Sequence, residues 1–124
     1  MSVAILREGD LLIASIQSDL SDSEVIALRD DLTRLVGQHR ARGIIIDVAA
    51  LEVIDSFVAR ALRAIVLSAR LRGAETVIVG IQPDVAIAMV QFRLNLEPLR
   101  ATLDLDAARA LLGRPAHGDT RDER

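Results

Sequence analysis

The sequence predicts an α/β domain with a mixed β-sheet, an N-terminal hairpin followed by parallel crossovers, flanked by about four helices. Short apolar, β-branched runs alternate with longer stretches whose apolar residues recur at the helical period. The first two runs are separated only by Glu8-Gly9-Asp10, which reads as an antiparallel hairpin with a tight glycine turn. The resulting order is β-β-α-β-α-β-α-β-α, with no internal repeat and no second domain.

The hairpin strands are residues 3–7 and 11–16. Ser21-Asp22-Ser23-Glu24 supplies the hydroxyls and acids that a helix wants at its N-cap and first turn. Val25, Leu28, Leu32, Leu35 and Val36 mark one face of that helix, which should end near Gly37 or in the Arg40-Ala41-Arg42-Gly43 turn. Gly43-Ile44-Ile45-Ile46-Asp47-Val48 reads as an interior strand. From Phe57 the apolar residues Val58, Ala61, Leu62, Ile65, Val66 and Ala69 keep a helical period that stops at Gly73. Thr76-Val77-Ile78-Val79 is a further buried strand, broken by Gly80-Ile81-Gln82-Pro83. Pro83 suits the first position of a third helix reaching about Arg93. Residues 100–103 form a last short strand, and Asp104 or Asp106 caps a final helix through Leu112. The domain is expected to span residues 1–112. Residues 113–124 mix charge, Gly and Pro without periodicity and are expected to be a disordered, dispensable tail.

Composition removes several functions. A chain of 124 residues can bury about two-thirds of its unfolded surface and fold without staples. With no Cys there is no disulfide framework, thiolate nucleophile or Cys-ligated metal. No apolar run approaches the roughly 18–20 residues that span a bilayer, and the N-terminus lacks the order of a signal peptide. A soluble cytoplasmic protein without membrane partners is expected. A net charge of -3 with two Phe, no Tyr and no Trp argues against nucleic-acid binding. All 15 positive residues are Arg. The missing lysine excludes a phosphate-binding loop lysine, a Schiff base and a response-regulator receiver, which needs a lysine beside its acidic pocket.

A search for catalytic groups finds little. His39 lies at a helix end and His117 in the tail, neither near a serine or carboxylate in a plausible triad. There is no G-x-S-x-G, no G-x-G-x-x-G after a strand and no H-E-x-x-H. Asp47 and Asp55 could both sit at the carboxyl edge of the sheet, where a carboxylate pair could do acid–base work or bind Mg²⁺. Strand-end aspartates more often cap turns and helix starts.

Two features point elsewhere. Ser56 falls at or beside a helix start, where it can act as a structural cap or present a hydroxyl whose phosphate would meet free N–H groups and the helix dipole. Val85-Ala86-Ile87-Ala88-Met89-Val90-Gln91-Phe92 has one polar residue in eight, so the third helix is apolar nearly all round. Either it is deeply buried, or Val85, Met89 and Phe92 include an outer face for assembly.

The element order, with Asp47 at a strand end and Leu51-Glu52-Val53-Ile54-Asp55-Ser56 before the second helix, resembles the STAS domain of bacterial anti-sigma-factor antagonists. Ordinary antagonists continue Asp-Ser-Ser-Gly-Leu, whereas this chain reads Asp55-Ser56-Phe57-Val58-Ala59. That departure, with Gly80-Ile81-Gln82-Pro83, is similar to the scaffold proteins of stressosomes, of RsbS type. The resemblance implies a non-enzymatic scaffold without cofactor or metal. It implies phosphorylation of Ser56 by a serine switch kinase of the histidine-kinase-like ATPase fold, with Asp55, Phe57 and Asp47 as neighbours of the phosphosite that serve partner recognition. Implied partners are that kinase, sensor-bearing STAS paralogues, further copies of the chain in a dimer or larger assembly, and a serine phosphatase. An ordinary anti-anti-sigma factor binding an anti-sigma kinase is the alternative, and a small Mg-dependent phosphate-ester hydrolase a more distant one. Phosphate adds roughly -1.5 to -2 charges. A helix N-terminus holds such charge with up to about 1–2 kcal/mol of stabilisation, so affinity should change more than fold.

Overall fold

The computed structural model describes residues 3–92, 100–102 and 104–113. Strands β1 (Val3–Glu8) and β2 (Leu11–Ile16) pair antiparallel from Val3 opposite Ile16 to Glu8 opposite Leu11, leaving Gly9 and Asp10 as a two-residue loop. Helix α1 (Asp22–His39), strand β3 (Gly43–Asp47), helix α2 (Ser56–Leu71), strand β4 (Glu75–Val79), helix α3 (Pro83–Gln91), strand β5 (Arg100–Thr102) and helix α4 (Leu105–Gly113) follow. The sheet order is β1-β2-β3-β4-β5, with every pair after the hairpin parallel. The predicted architecture is therefore the observed one.

The unbroken apolar runs have a simple cause: both faces of the central strands are covered. Leu12, Ala14 and Ile16 of β2, Ile44 and Ile46 of β3 and Ile78 of β4 pack with α1, α2 and α3. The alternate residues Leu11, Ile13, Ile45, Val77 and Val79 pack with Ala108 and Leu112 of α4. Two bridges fasten α4 to the hairpin. Arg109 forks onto Glu8 at 2.8 and 2.9 Å. Arg42 holds Asp10 at 2.8 Å and also donates to the Leu112 carbonyl.

Helix boundaries follow local chemistry. Ser21 accepts from the Glu24 N–H while the Glu24 side chain accepts from the Ser21 N–H, completing a capping box. α1 runs through Gly37 and stops at Arg40, whose φ of 49° is left-handed. A side chain at Gly37 would meet only the movable end of the Arg72 side chain, and the glycine lies within α1 without ending it. Asp104 accepts from the Ala107 N–H and is the cap of α4. Gly113, the first residue of the predicted tail, is the last residue of α4; Arg93, Leu103, His117 and the rest of that tail lie outside the described residues.

One expectation changes. Val85 and Met89 are 1 % and 2 % exposed and belong to the core beneath α3, because a helix laid on a sheet must bury one stripe. They cannot form an outer face. The outer apolar residues are Ile87, Val90 and Phe92, at 58 %, 73 % and 41 % exposure.

Candidate functional site

The carboxyl ends of β2, β3 and β4 bring three loops together, and the loop after β3 leads into α2. Asp47, half-buried at the end of β3, accepts from the Ala49 N–H at 2.9 Å and turns the chain out of the sheet. The Val48 N–H bonds the Val79 carbonyl at 3.0 Å, and the Leu51 N–H bonds the Val48 carbonyl at 2.9 Å. Leu51 and Ile54 are buried, so this loop is pinned to the core by two side chains. Its neighbours brace it as well. The Glu52 N–H donates to Asp19 at 3.2 Å, and Gln82 Nε2 donates to the Ala49 carbonyl at 2.7 Å. Gly80, at a φ of +77°, runs so close that a Cβ there would stand 3.0 Å from that of Ala49.

Asp55, not Ser56, is the N-cap of α2. Its extended backbone (φ -109°, ψ 178°) turns Oδ1 onto the Val58 N–H at 2.9 Å, and its carbonyl accepts from the Ala59 N–H at 3.0 Å. Ser56 is thereby displaced to the first helical position. It is exposed, and its hydroxyl has no hydrogen-bond partner among the described residues. Phe57 is half-buried and packs against the main core, which anchors the start of α2. Val53, 65 % exposed, is the apolar residue the loop does present beside Ser56.

Asp47 and Asp55 each serve a backbone N–H of their own turn, the capping role that strand-end aspartates commonly take. Among the described residues no group of three or more His, Asp or Glu side chains could hold a metal ion. His39 accepts from Arg7 Nη1 at 2.9 Å through Nδ1, at the far end of α1. No described helix is long and apolar enough to cross a membrane. The contacts of Asp19 and Gln82 were not legible in the sequence, since neither residue lies in the acid-serine run. That Asp55 rather than Ser56 is the cap was not legible either, because the two residue types cap about equally well.

A family model for the STAS domain matches residues 2–108. The chain belongs to the STAS domain family. Among solved structures it is similar to RsbS of Moorella thermoacetica, determined as a serine-to-glutamate variant. The two are 33 % identical over 91 % of this chain and 96 % of that one, with a TM-score of 0.82. A chain from the molecular architecture of the stressosome is 31 % identical, over 89 % of this chain and 96 % of that one, with a TM-score of 0.74. SpoIIAA, the Bacillus cell fate determinant, in its phosphorylated form shares only 14 % identity, over 88 % of this chain and 98 % of that one. Its TM-score of 0.70 shows that the two share a fold. No curated protein sequence matches the chain significantly.

Proposed function

We propose that this STAS domain is a non-enzymatic scaffold of a cytoplasmic bacterial stress-signalling assembly, holding a serine switch kinase until Ser56 is phosphorylated. The observation that carries the reading is the exposed, unpartnered Ser56 hydroxyl on the first residue of α2, with Asp55 already filling the cap. A hydroxyl used as a cap would be tied to the backbone; this one is free to be modified. Similarity to RsbS and to a stressosome chain, at 33 % and 31 % identity, supports the scaffold role over the ordinary antagonist.

The pinned loop gives the switch its character. Leu51 and Ile54 hold the loop whether or not Ser56 carries charge, and the first turn of α2 can accept an anion without refolding. Asp55 opposes that charge by repulsion, so the net effect on fold stability is small. At an interface the same charge must be desolvated or repelled, and the kinase is released.

Calorimetry with the kinase tests this. Ser56→Ala should keep the kinase bound, and Ser56→Asp should weaken binding at least tenfold, about 1.4 kcal/mol. Equal affinities would rule out the switch. Light scattering with a sensor-bearing STAS paralogue separates the scaffold, which forms megadalton particles, from an antagonist that stays small.

A further inference from the structure

Five of the described arginines have side-chain partners. Arg29, Arg34, Arg42 and Arg109 each hold a carboxylate at 2.8 to 3.4 Å, and Arg7 serves His39 and the Gly9 carbonyl. Arg60, Arg63 and Arg70 of α2 hold no carboxylate among the described residues, and α2 contains no Asp or Glu. Counted from Ser56, these arginines stand at i+4, i+7 and i+14, with Leu67 at i+11 completing the row. Those steps follow the helical period, so the row is one stripe about 21 Å long. Every member is exposed, and Leu71 beside its end is 89 % exposed. A chain of net charge -3 thus carries one uncompensated positive stripe, and it begins at Ser56.

We propose that this stripe is the docking surface for an acidic protein partner, and that Arg60 couples it to the state of Ser56. The coupling rests on the reading of Ser56 as a phosphosite; the docking surface does not. Charge complementarity selects the partner: a surface whose carboxylates face Arg60, Arg63 and Arg70 and whose apolar groups meet Leu67 and Leu71. A nucleic acid fits poorly, because the stripe has no aromatic ring on which a base could stack. Rows of exposed charge add little affinity pair by pair, but they steer encounter and fix orientation. Phosphate on Ser56 stands four residues N-terminal to Arg60, the favoured order for an acid–base pair on a helix. It takes Arg60 from the partner and repels the partner's carboxylates at the same end.

Poly-L-glutamate is the first probe, added to the full chain and followed by amide and arginine NMR shifts at low salt. Shifts should concentrate on residues 56–72 and collapse when salt rises from about 50 to 200 mM, near the Debye regime where exposed pairs are screened. Arg63→Glu combined with Arg70→Glu should weaken binding at least tenfold, and Ser56-phosphorylated chain at least threefold. Shifts elsewhere, no shifts, or tighter binding of polyadenylate or anionic vesicles to the same stripe would overturn the proposal. The second arm is calorimetry of the Arg63→Glu/Arg70→Glu chain with the switch kinase. A tenfold loss supports the proposal, and an unchanged affinity overturns it while leaving the Ser56 switch intact. If the parent chain binds no kinase, the switch reading fails and the poly-glutamate arm still decides the stripe.

Discussion

Asp55 and Ser56 divide two roles that one residue often combines. The aspartate satisfies the Val58 N–H and starts the helix, which leaves the serine hydroxyl free at the surface. Removing the cap and removing the phosphosite should therefore be separable. Asp55→Ala should cost about 1 kcal/mol, a fall in melting temperature of about 4 °C, whereas Ser56→Ala should stay within about 0.5 kcal/mol of the parent. Parallel thermal melts check both, and a larger loss for Ser56→Ala would return the capping role to the serine. The sequence placed the pair at the helix start but could not divide the roles, because Asp and Ser cap about equally well. Thr76 shows the converse, a polar group the fold leaves stranded. It is 2 % exposed, and its Oγ1 has no hydrogen-bond partner among the described residues. Thr76→Val replaces that hydroxyl with a methyl of similar shape and should stabilise the domain by about 1 kcal/mol, measured by urea denaturation. A loss of stability would mean that the hydroxyl is satisfied in solution.

Among the elements, α3 separates what periodicity can and cannot reveal. Its composition showed a helix apolar nearly all round, but which stripe faces the sheet depends on how the chain leaves β4, and no residue in α3 records that. The structure gives the inner stripe to Val85 and Met89 and the outer one to Ile87 and Val90. Met89→Glu should therefore unfold the domain by burying an unpaired charge, while Val90→Glu should leave the melting temperature within a few degrees. Circular dichroism distinguishes the two, and an unaffected Met89→Glu chain would reverse the assignment. α4 was legible as a helix, though not its place, alone among the described helices, on the opposite face of the sheet, where Arg42 and Arg109 tie it to the hairpin. The hydrogen bond from Arg42 holds the Asp10 carboxyl below its ordinary 3.8, opposed by slight desolvation and aided by the Arg42 charge. A carboxyl depressed in the folded state stabilises above its unfolded value, and that contribution disappears as pH falls through the folded value. Asp10→Asn should thus melt below the parent near neutral pH, and the gap should close only as pH falls below the ordinary 3.8 and through the folded value. The gap should be small, because the pair is exposed and screened by salt. A gap that widens in acid would show that the pair is absent.

Across the whole molecule, the sheet order β1-β2-β3-β4-β5 puts the three best-buried strands in the middle and directs their carboxyl ends toward one rim. That rim carries the pinned loop and Ser56, the α2 stripe runs back from it, and the outer face of α3 starts beside it after Gln82. The proposed kinase binding and the proposed self-association would then use different faces of the domain. In the proposed scaffold, the apolar outer residues Ile87, Val90 and Phe92 would be the natural contact for assembly, since covering them removes apolar surface from water and the fold does not need them inside. Burying Ile87 and Val90 fully would contribute about 1.5–3 kcal/mol per side chain before the cost of association, enough for repeated contacts in a multivalent particle but modest for an isolated dimer. The double variant Ile87→Glu/Val90→Glu should accordingly remain folded and bind the kinase as the parent does, yet fail to enter megadalton particles with a sensor-bearing paralogue. Light scattering and kinase calorimetry on the same sample check this. Particles of undiminished mass would take α3 out of the assembly, and a parallel loss of kinase binding would mean that the two faces are not independent.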